Sequence, residues 1–262
     1  MSERTEKIIK KFASQDLAKL HEAFDEIAAS KDLTVDEKTA LAEALATLFY
    51  RDEAGNEELA RAISRAEEVM ASLGSDLTSW LIGQIREADA ESAHHFAHVL
   101  GLMGSRAAQA LSEALGEHKG DDYVLINLLT SVGHSTDPEI VNTVLEALPL
   151  ADHENSQVRA AALYCIGRVS NRIPPEAMSE ADRKALFDKC FSRLSDPKPL
   201  VRRHAVRALG KMLINSYLNE EQKEKAHKAF RAILGLDEFD WDSAYIVRNE
   251  AEHYLQYFQP GK

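Results

Sequence analysis

Cysteine is scarce. Two occur in 262 residues, Cys165 and Cys190, each inside a helical apolar pattern. That excludes a disulfide framework and a Cys-rich metal site as organising devices, and predicts buried, reduced thiols. No run of 18 apolar residues is present, so no segment reads as a membrane span. The amino-terminal stretch MSERTEKIIKKF scatters charges through its apolar positions and lacks the apolar core of a signal peptide. These absences make the cytoplasm the expected location. Long alternating apolar/polar runs are missing, as are Asn-Gly and Asp-Gly dipeptides, which removes the usual strand and hairpin signals. No P-loop, G-x-G-x-x-G, G-x-S-x-G or Cys-His zinc spacing occurs. The expectation is a chain with no catalytic residues, no cofactor and no metal.

Charge is plentiful but uneven. The formal net charge is −12. Residues 1–150 hold 13 Lys+Arg against 27 Asp+Glu, net −14, whereas residues 151–262 hold 18 against 16, net +2. The first part would repel nucleic acid and anionic membranes, while the second is neutral to basic.

Apolar residues recur at spacings of three and four, the signature of amphipathic helices. From Asn56 to Gly74 the stripe is Leu59, Ile63, Ala66, Met70 and Leu73, with Asn56 as the cap and Gly74 as the stop. Thr34 with Glu37 reads as a capping box for a helix running through Phe49. Asp76 precedes the stripe Leu77, Trp80, Leu81 and Ile85, and Ser179 with Asp182 opens another helix that ends near Leu194. Roughly a dozen short helices with close spacing predict an all-α fold built from helical hairpins.

The hairpins repeat. VRRHAVRALG from Val201 and VRAAALYCIG from Val158 share Val-Arg, Ala four residues on, an aliphatic residue at eight and Gly at nine, at an offset of 43. VRNEAEHYLQ from Val247 keeps Val-Arg, the Ala and the aliphatic residue. VLINLLTSVG from Val124 keeps the Val, the aliphatic residue and the Gly but not the Arg, and HFAHVLGLMG from His95 is weaker still. Acidic turns precede three copies: Asp196 and Asp242 lie five before the Val, and Asp152 six before it. The unit is helix, Asp-containing turn, helix with Val-Arg-x-x-Ala.

Over roughly residues 90–258 this resembles the HEAT repeat family, in particular its degenerate bacterial members. The resemblance implies a right-handed α-solenoid of stacked hairpins. It also implies that the Arg after each Val bonds to the turn aspartate and stitches neighbouring turns, a role carried to Arg159, Arg202 and Arg248 with Asp152, Asp196 and Asp242. Stacking is expected on physical grounds too, since one hairpin cannot bury its apolar face alone. Residues 1–75 lack the signature and are expected to be a helical cap or divergent repeats, with 76–262 as one continuous solenoid.

Second helices of such hairpins commonly line the concave surface. Positions two, six and ten after the Val share a helix face. They are Arg203, Arg207 and Lys211; Ala160, Tyr164 and Arg168; Asn249, His253 and Tyr257; and Ile126, Thr130 and His134. This basic, aromatic and histidine strip is either a solvated face or a partner-binding surface. Its expected binding residues are Tyr164, Arg168, Arg203, Arg207, Lys211, Asn249, His253 and Tyr257. Other clusters have plainer readings. Glu91, His95 and His98 share a helix face without a third fixed ligand, DEFDWD (237–242) coincides with an acidic turn, and NRIPPEAMS (171–179) is a Pro-broken linker.

The function that follows is a non-enzymatic scaffold or adaptor whose concave groove holds another protein, for example as an assembly factor or an inhibitor of a basic partner. The alternative is an enzyme on the same fold, similar to bilin lyases or alkylpurine DNA glycosylases. A glycosylase needs a basic, aromatic groove, which only residues 158–211 approach, and the acidic part opposes DNA.

Overall fold

The computed structural model of the chain describes residues 1–14, 16–237 and 240–258. Among them are fourteen α-helices and no strand. The chain divides into two compact units, Met1–Ala110 and Leu111–Lys262. The divide falls inside a helix, downstream of the 75/76 boundary expected from the sequence. Of the DEFDWD segment, Glu238 and Phe239 lie outside the described residues.

The first unit contains α1 (Glu3–Phe12), α2 (Leu17–Ala28), α3 (Val35–Ala46), α4 (Glu57–Ser72), α5 (Thr78–Glu87), α6 (Ala90–Met103) and the start of α7 (Ser105–Glu117). Its helix starts follow local chemistry. The Glu37 amide donates to Thr34 Oγ1 at 3.3 Å, and Glu37 Oε2 accepts from the Thr34 amide at 3.2 Å, closing the capping box. Glu37 Oε1 also accepts from the Ser2 amide at 2.9 Å and the Thr5 hydroxyl at 3.0 Å, so one carboxylate ties the starts of α1 and α3 together. These bonds, those with Ser2 foremost, hold its pKa down at about 2. Asn56 caps α4 through the Leu59 amide at 3.0 Å. The stripe Leu59, Ile63, Ala66, Met70 and Leu73 is buried, and α4 is followed by Gly74 at φ +108°, a conformation that favours glycine. Helices α2, α4 and α6 pack in a row beside α1, α3 and α5. Paired helices therefore build this unit as well, without the Val-Arg signature.

The second unit continues with α8 (Asp122–His134), α9 (Val141–Ala147), α10 (Ser156–Arg172), α11 (Glu180–Ser192), α12 (Pro199–Ile214), α13 (Glu220–Ile233) and α14 (Tyr245–Leu255). Helices α8, α10, α12 and α14 pack consecutively, and α9, α11 and α13 form the other layer. These are the stacked hairpins of a helical solenoid. The repeat valines Val124, Val158, Val201 and Val247 are fully buried, as are Ala205 and Ala251. Cys165 and Cys190 are buried free thiols, and burial pushes both up to about 12.

The glycine nine residues after Val124, Val158 and Val201 has a common cause. A Cβ on Gly133 would meet the Cα of Cys165 at 3.3 Å, one on Gly167 the Cα of Ala208 at 3.2 Å, and one on Gly210 the ring of Tyr254 at 2.2–2.5 Å. Cys165, Ala208 and Tyr254 each lie seven after their own Val. Each +9 glycine thus faces the +7 residue of the next repeat, where neighbouring second helices come closest.

The ionic stitch runs between repeats, which corrects the pairing expected from sequence. Arg159 Nε and Nη2 donate to the Asp196 carboxylate at 2.9 and 3.1 Å, and Arg202 Nε and Nη2 to Asp242 at 2.6 and 2.7 Å. Within its own repeat each Arg reaches only the turn backbone: Arg159 Nη1 donates to the His153 carbonyl at 2.8 Å, Arg202 to the Asp196 carbonyl at 2.8 Å, and Arg248 to the Asp242 carbonyl at 2.6 Å. The turn carboxylates also cap the local chain, accepting from the Lys198 and Ala244 amides. Arg202 is therefore not bonded to the Asp196 carboxylate, because the preceding Arg159 occupies that acid. Asp152 is no rung either. His153, five before Val158, holds that turn position and accepts from the Asn155 amide at 3.2 Å, while Asp152 turns to Lys189 and Arg193 of the other layer. The Arg-lacking copy has Leu125 where the fork would be, and the turn position of the next repeat is held by His153, whose Nδ1 lies 3.7 Å from Asp122. Asp122 of α8 also accepts from Asn155 Nδ2 at 2.6 Å.

Two outcomes follow for stability. Gly210→Ala should cost about 1–3 kcal/mol through overpacking on Tyr254. Gly83→Ala, with open space around it, should raise stability by up to about 1 kcal/mol through helix propensity. Urea midpoints moving in the same direction would contradict the close approach. Arg202→Ala should cost about 1–3 kcal/mol by stranding Asp242. Burial acts to raise the Asp242 pKa, but the Arg202 and Ala244 hydrogen bonds and the nearby guanidinium charges outweigh it, and the net shift is downward. A depressed carboxylate pKa stabilises the fold above the unfolded value, about 4, and that contribution is lost as pH falls through the folded value. The deficit of Arg202→Ala, followed by urea unfolding from pH 7 to pH 3, should therefore shrink toward acid.

Candidate functional site

The exposed side of α10, α12 and α14 carries a groove of about 740 Å³. It is lined by Tyr164 and Arg168 of α10, Arg203, Arg207 and Lys211 of α12, and Asn249, Glu250, Glu252, His253 and Tyr254 of α14. These residues meet because the +2, +6 and +10 positions of one helix face their counterparts on the next, at the separation fixed by the glycine contacts. A smaller recess of about 80 Å³, lined by Leu163, Tyr164, Gly167, Arg168, Asn171, Arg207 and Lys211, adjoins it.

Seven of the eight strip residues expected from the sequence line the groove; Tyr257 does not. It lies on the turn after α14 and lines a separate groove of about 510 Å³ with Leu213, Ile214, His227 and Phe258 among others. The members from α8 stay out as well: the Thr130 hydroxyl donates back to the Ile126 carbonyl, and His134 is buried.

Arg203 and Arg207 are not the free cations that the strip suggested. Glu250, three residues after Val247 and only 6% exposed, accepts from Arg207 Nε and Nη2 at 2.7 Å each and from Arg203 Nε at 3.1 Å. Burial works to raise the Glu250 pKa, but the Arg207 hydrogen bonds and charge, with Arg203 behind them, hold it below the ordinary carboxylate range. The same bond to Glu250 raises Arg207. The +6 side chain of one repeat thus covers the +3 side chain of the next. Tyr164 and His204 repeat that relation, edge to face at 5.8 Å. Burial, then the charges of Arg207 and Arg203, lower His204 to about 4, so it is neutral at physiological pH.

Among the described residues the other two cations have no carboxylate. Arg168 lies over the Tyr164 ring at 5.8 Å, its Nη2 is 3.3 Å from His134 Nδ1, and its buried Nε has no hydrogen-bond partner. Lys211 has neither an ion pair nor a side-chain hydrogen bond among the described residues. Sequence reasoning missed Glu250 and Tyr254. The signal was present, since an acid at +3 stands one repeat after arginines at +2 and +6, but only the inter-repeat register makes the three neighbours.

The histidine cluster of the first unit is also differently partnered. His95 and His98 each place Nδ1 2.7 Å from an oxygen of Glu67 on α4, not Glu91, and Glu67 is 4% exposed. Burial would raise the Glu67 pKa, yet the two imidazoles outweigh it and lower it. Among the described residues no group of three His, Cys, Asp or Glu side chains is arranged to hold a metal.

The fold and this repeating face define a helical-repeat protein. The HEAT repeats family model matches residues 149–256, the span that contains the Arg–Asp stitches and the groove. No curated protein matches significantly. Of solved structures, a chain in one describing Kap95p binding and the switch loops of RanGDP is 14% identical, with a TM-score of 0.59 over 97% of this chain and 34% of that one. Two designed armadillo repeat proteins also align. YIII(Dq)4CqI is 15% identical (TM-score 0.47, 97% of this chain, 99% of the other). YIII(Dq.V1)4CPAF, solved with the peptide (KR)4, is 17% identical (TM-score 0.47, 98% and 100%). At 14% identity the first of these likenesses is one of fold alone.

Removing Arg207 should cost more stability than removing Arg203. Arg207→Ala breaks two bonds to a buried carboxylate and should cost about 1–2 kcal/mol. Arg203→Ala breaks one bond from a third-exposed side chain and should cost less than about 1 kcal/mol. Equal losses in urea would mean that Glu250 does not depend on the bidentate contact.

Proposed function

We propose that this chain is a non-enzymatic scaffold that holds an extended segment of another protein in the groove over α10, α12 and α14. The observation that carries this reading is the groove itself. Three successive helices present one open, mixed polar and aromatic surface, the kind of extended face that stacked hairpins generate. Aromatic and arginine side chains at its centre are the residue types that anchor protein interfaces. The reduced, buried thiols accord with a cytoplasmic setting. Among the described residues no helix is long and apolar enough to cross a membrane.

Photocrosslinking tests the reading. With p-benzoylphenylalanine at His253, on the groove rim, cells should yield one dominant polypeptide adduct. Asn249→Trp should abolish it by filling the groove. The same probe at Lys228 on α13 should give no such adduct. Adducts that are insensitive to Asn249→Trp, or equal at both positions, would remove the groove as the binding site.

A further inference from the structure

From the charge layout of the small recess we infer that the bound segment is acidic, and that one of its Asp or Glu side chains enters the recess between Arg168 and Lys211. This rests on the scaffold reading and adds the chemistry of the partner.

The recess has an apolar floor at Leu163 and Gly167 and a rim with three cations, Arg168, Arg207 and Lys211, and no acid. Among the described residues only one of those cations is paired with a carboxylate, Arg207 with Glu250. Arg168 is held in place by the Tyr164 ring and His134, yet its Nε is buried with no acceptor. Lys211 adds an ammonium with neither an ion pair nor a side-chain hydrogen bond among the described residues. A carboxylate from outside would pair the Arg168 and Lys211 charges with a charge-assisted hydrogen bond.

Size and surroundings favour a carboxylate on a peptide over nucleic acid. About 80 Å³ suits one short acidic side chain. The chain as a whole carries −12, which opposes a polyanion while leaving a single local acid attracted. The molecule already uses this chemistry, because Arg207 and Arg203 hold Glu250 across the same face.

Selection of random linear peptides displayed against the full chain tests the inference, with each isolate's affinity read by fluorescence anisotropy. Isolates that lose binding to Asn249→Trp should share an Asp or Glu at a constant position. Changing that residue to Asn or Gln should weaken binding to the wild type at least about tenfold. The exchange should matter little on Arg168→Gln or Lys211→Gln, and keep its full effect on Lys228→Gln. Lys211 has no side-chain partner to lose among the described residues, so Lys211→Gln keeps the test valid if Arg168→Gln disturbs Tyr164. Groove-dependent isolates without a constant acid, or with an acid whose effect survives both substitutions, would overturn the inference and leave the scaffold reading standing. A complete lack of groove-dependent isolates would remove both. Oligo-dT competing more strongly than the acidic peptides would overturn the inference in favour of a nucleic-acid ligand.

Discussion

The architecture of the second unit depends on how closely consecutive second helices approach. At Gly133, Gly167 and Gly210 the next helix comes so near that a methyl group would touch its backbone or an aromatic ring. That closeness sets the register. Once +9 of one helix lies against +7 of the next, the +1 arginine meets the next turn, and the +6 side chain meets the next +3 residue. The Arg159–Asp196 and Arg202–Asp242 pairs, the Tyr164–His204 contact and the Arg207–Glu250 pair are all consequences of one offset. Buried ion pairs give little net stability over apolar substitutes, but they penalise any other register, because a shifted helix would strand a buried charge.

The same offset makes the groove. It aligns side chains from three helices that are far apart in sequence, and it decides which of them neutralise each other. Glu250 consumes Arg203 and Arg207, so the face that looks most basic in the sequence of α12 is half neutralised by α14. What remains available is displaced toward α10, at Arg168, and to the end of α12, at Lys211.

Much of this was legible in the sequence. Helical stripes, the caps at Asn56, Thr34 and Ser179, and the Val-Arg recurrence identified stacked hairpins, because each depends on residues close in the chain. Register between hairpins was less legible. Asp196 stands six residues before Arg202 and 37 after Arg159, and linear proximity favours the wrong partner. The turn aspartate offers the arginine of its own helix only a carbonyl and the arginine of the preceding one a carboxylate. Likewise Glu67 was invisible as the partner of His95 and His98, since it comes from the preceding pair of helices, and Glu91 occupied the expected spacing.

The joints of the stack are not alike. Between α8 and α10 there is a leucine and a histidine where the later joints have an arginine and an aspartate. In a stack whose members touch only their neighbours, opening begins at whichever joint is weakest under the prevailing conditions. The later joints are held by carboxylates on arginines, whereas at the α8–α10 joint the carboxylate is Asp122, on Asn155 and 3.7 Å from His153. Acid therefore weakens the α10–α12 and α12–α14 joints by removing the arginines' partners Asp196 and Asp242.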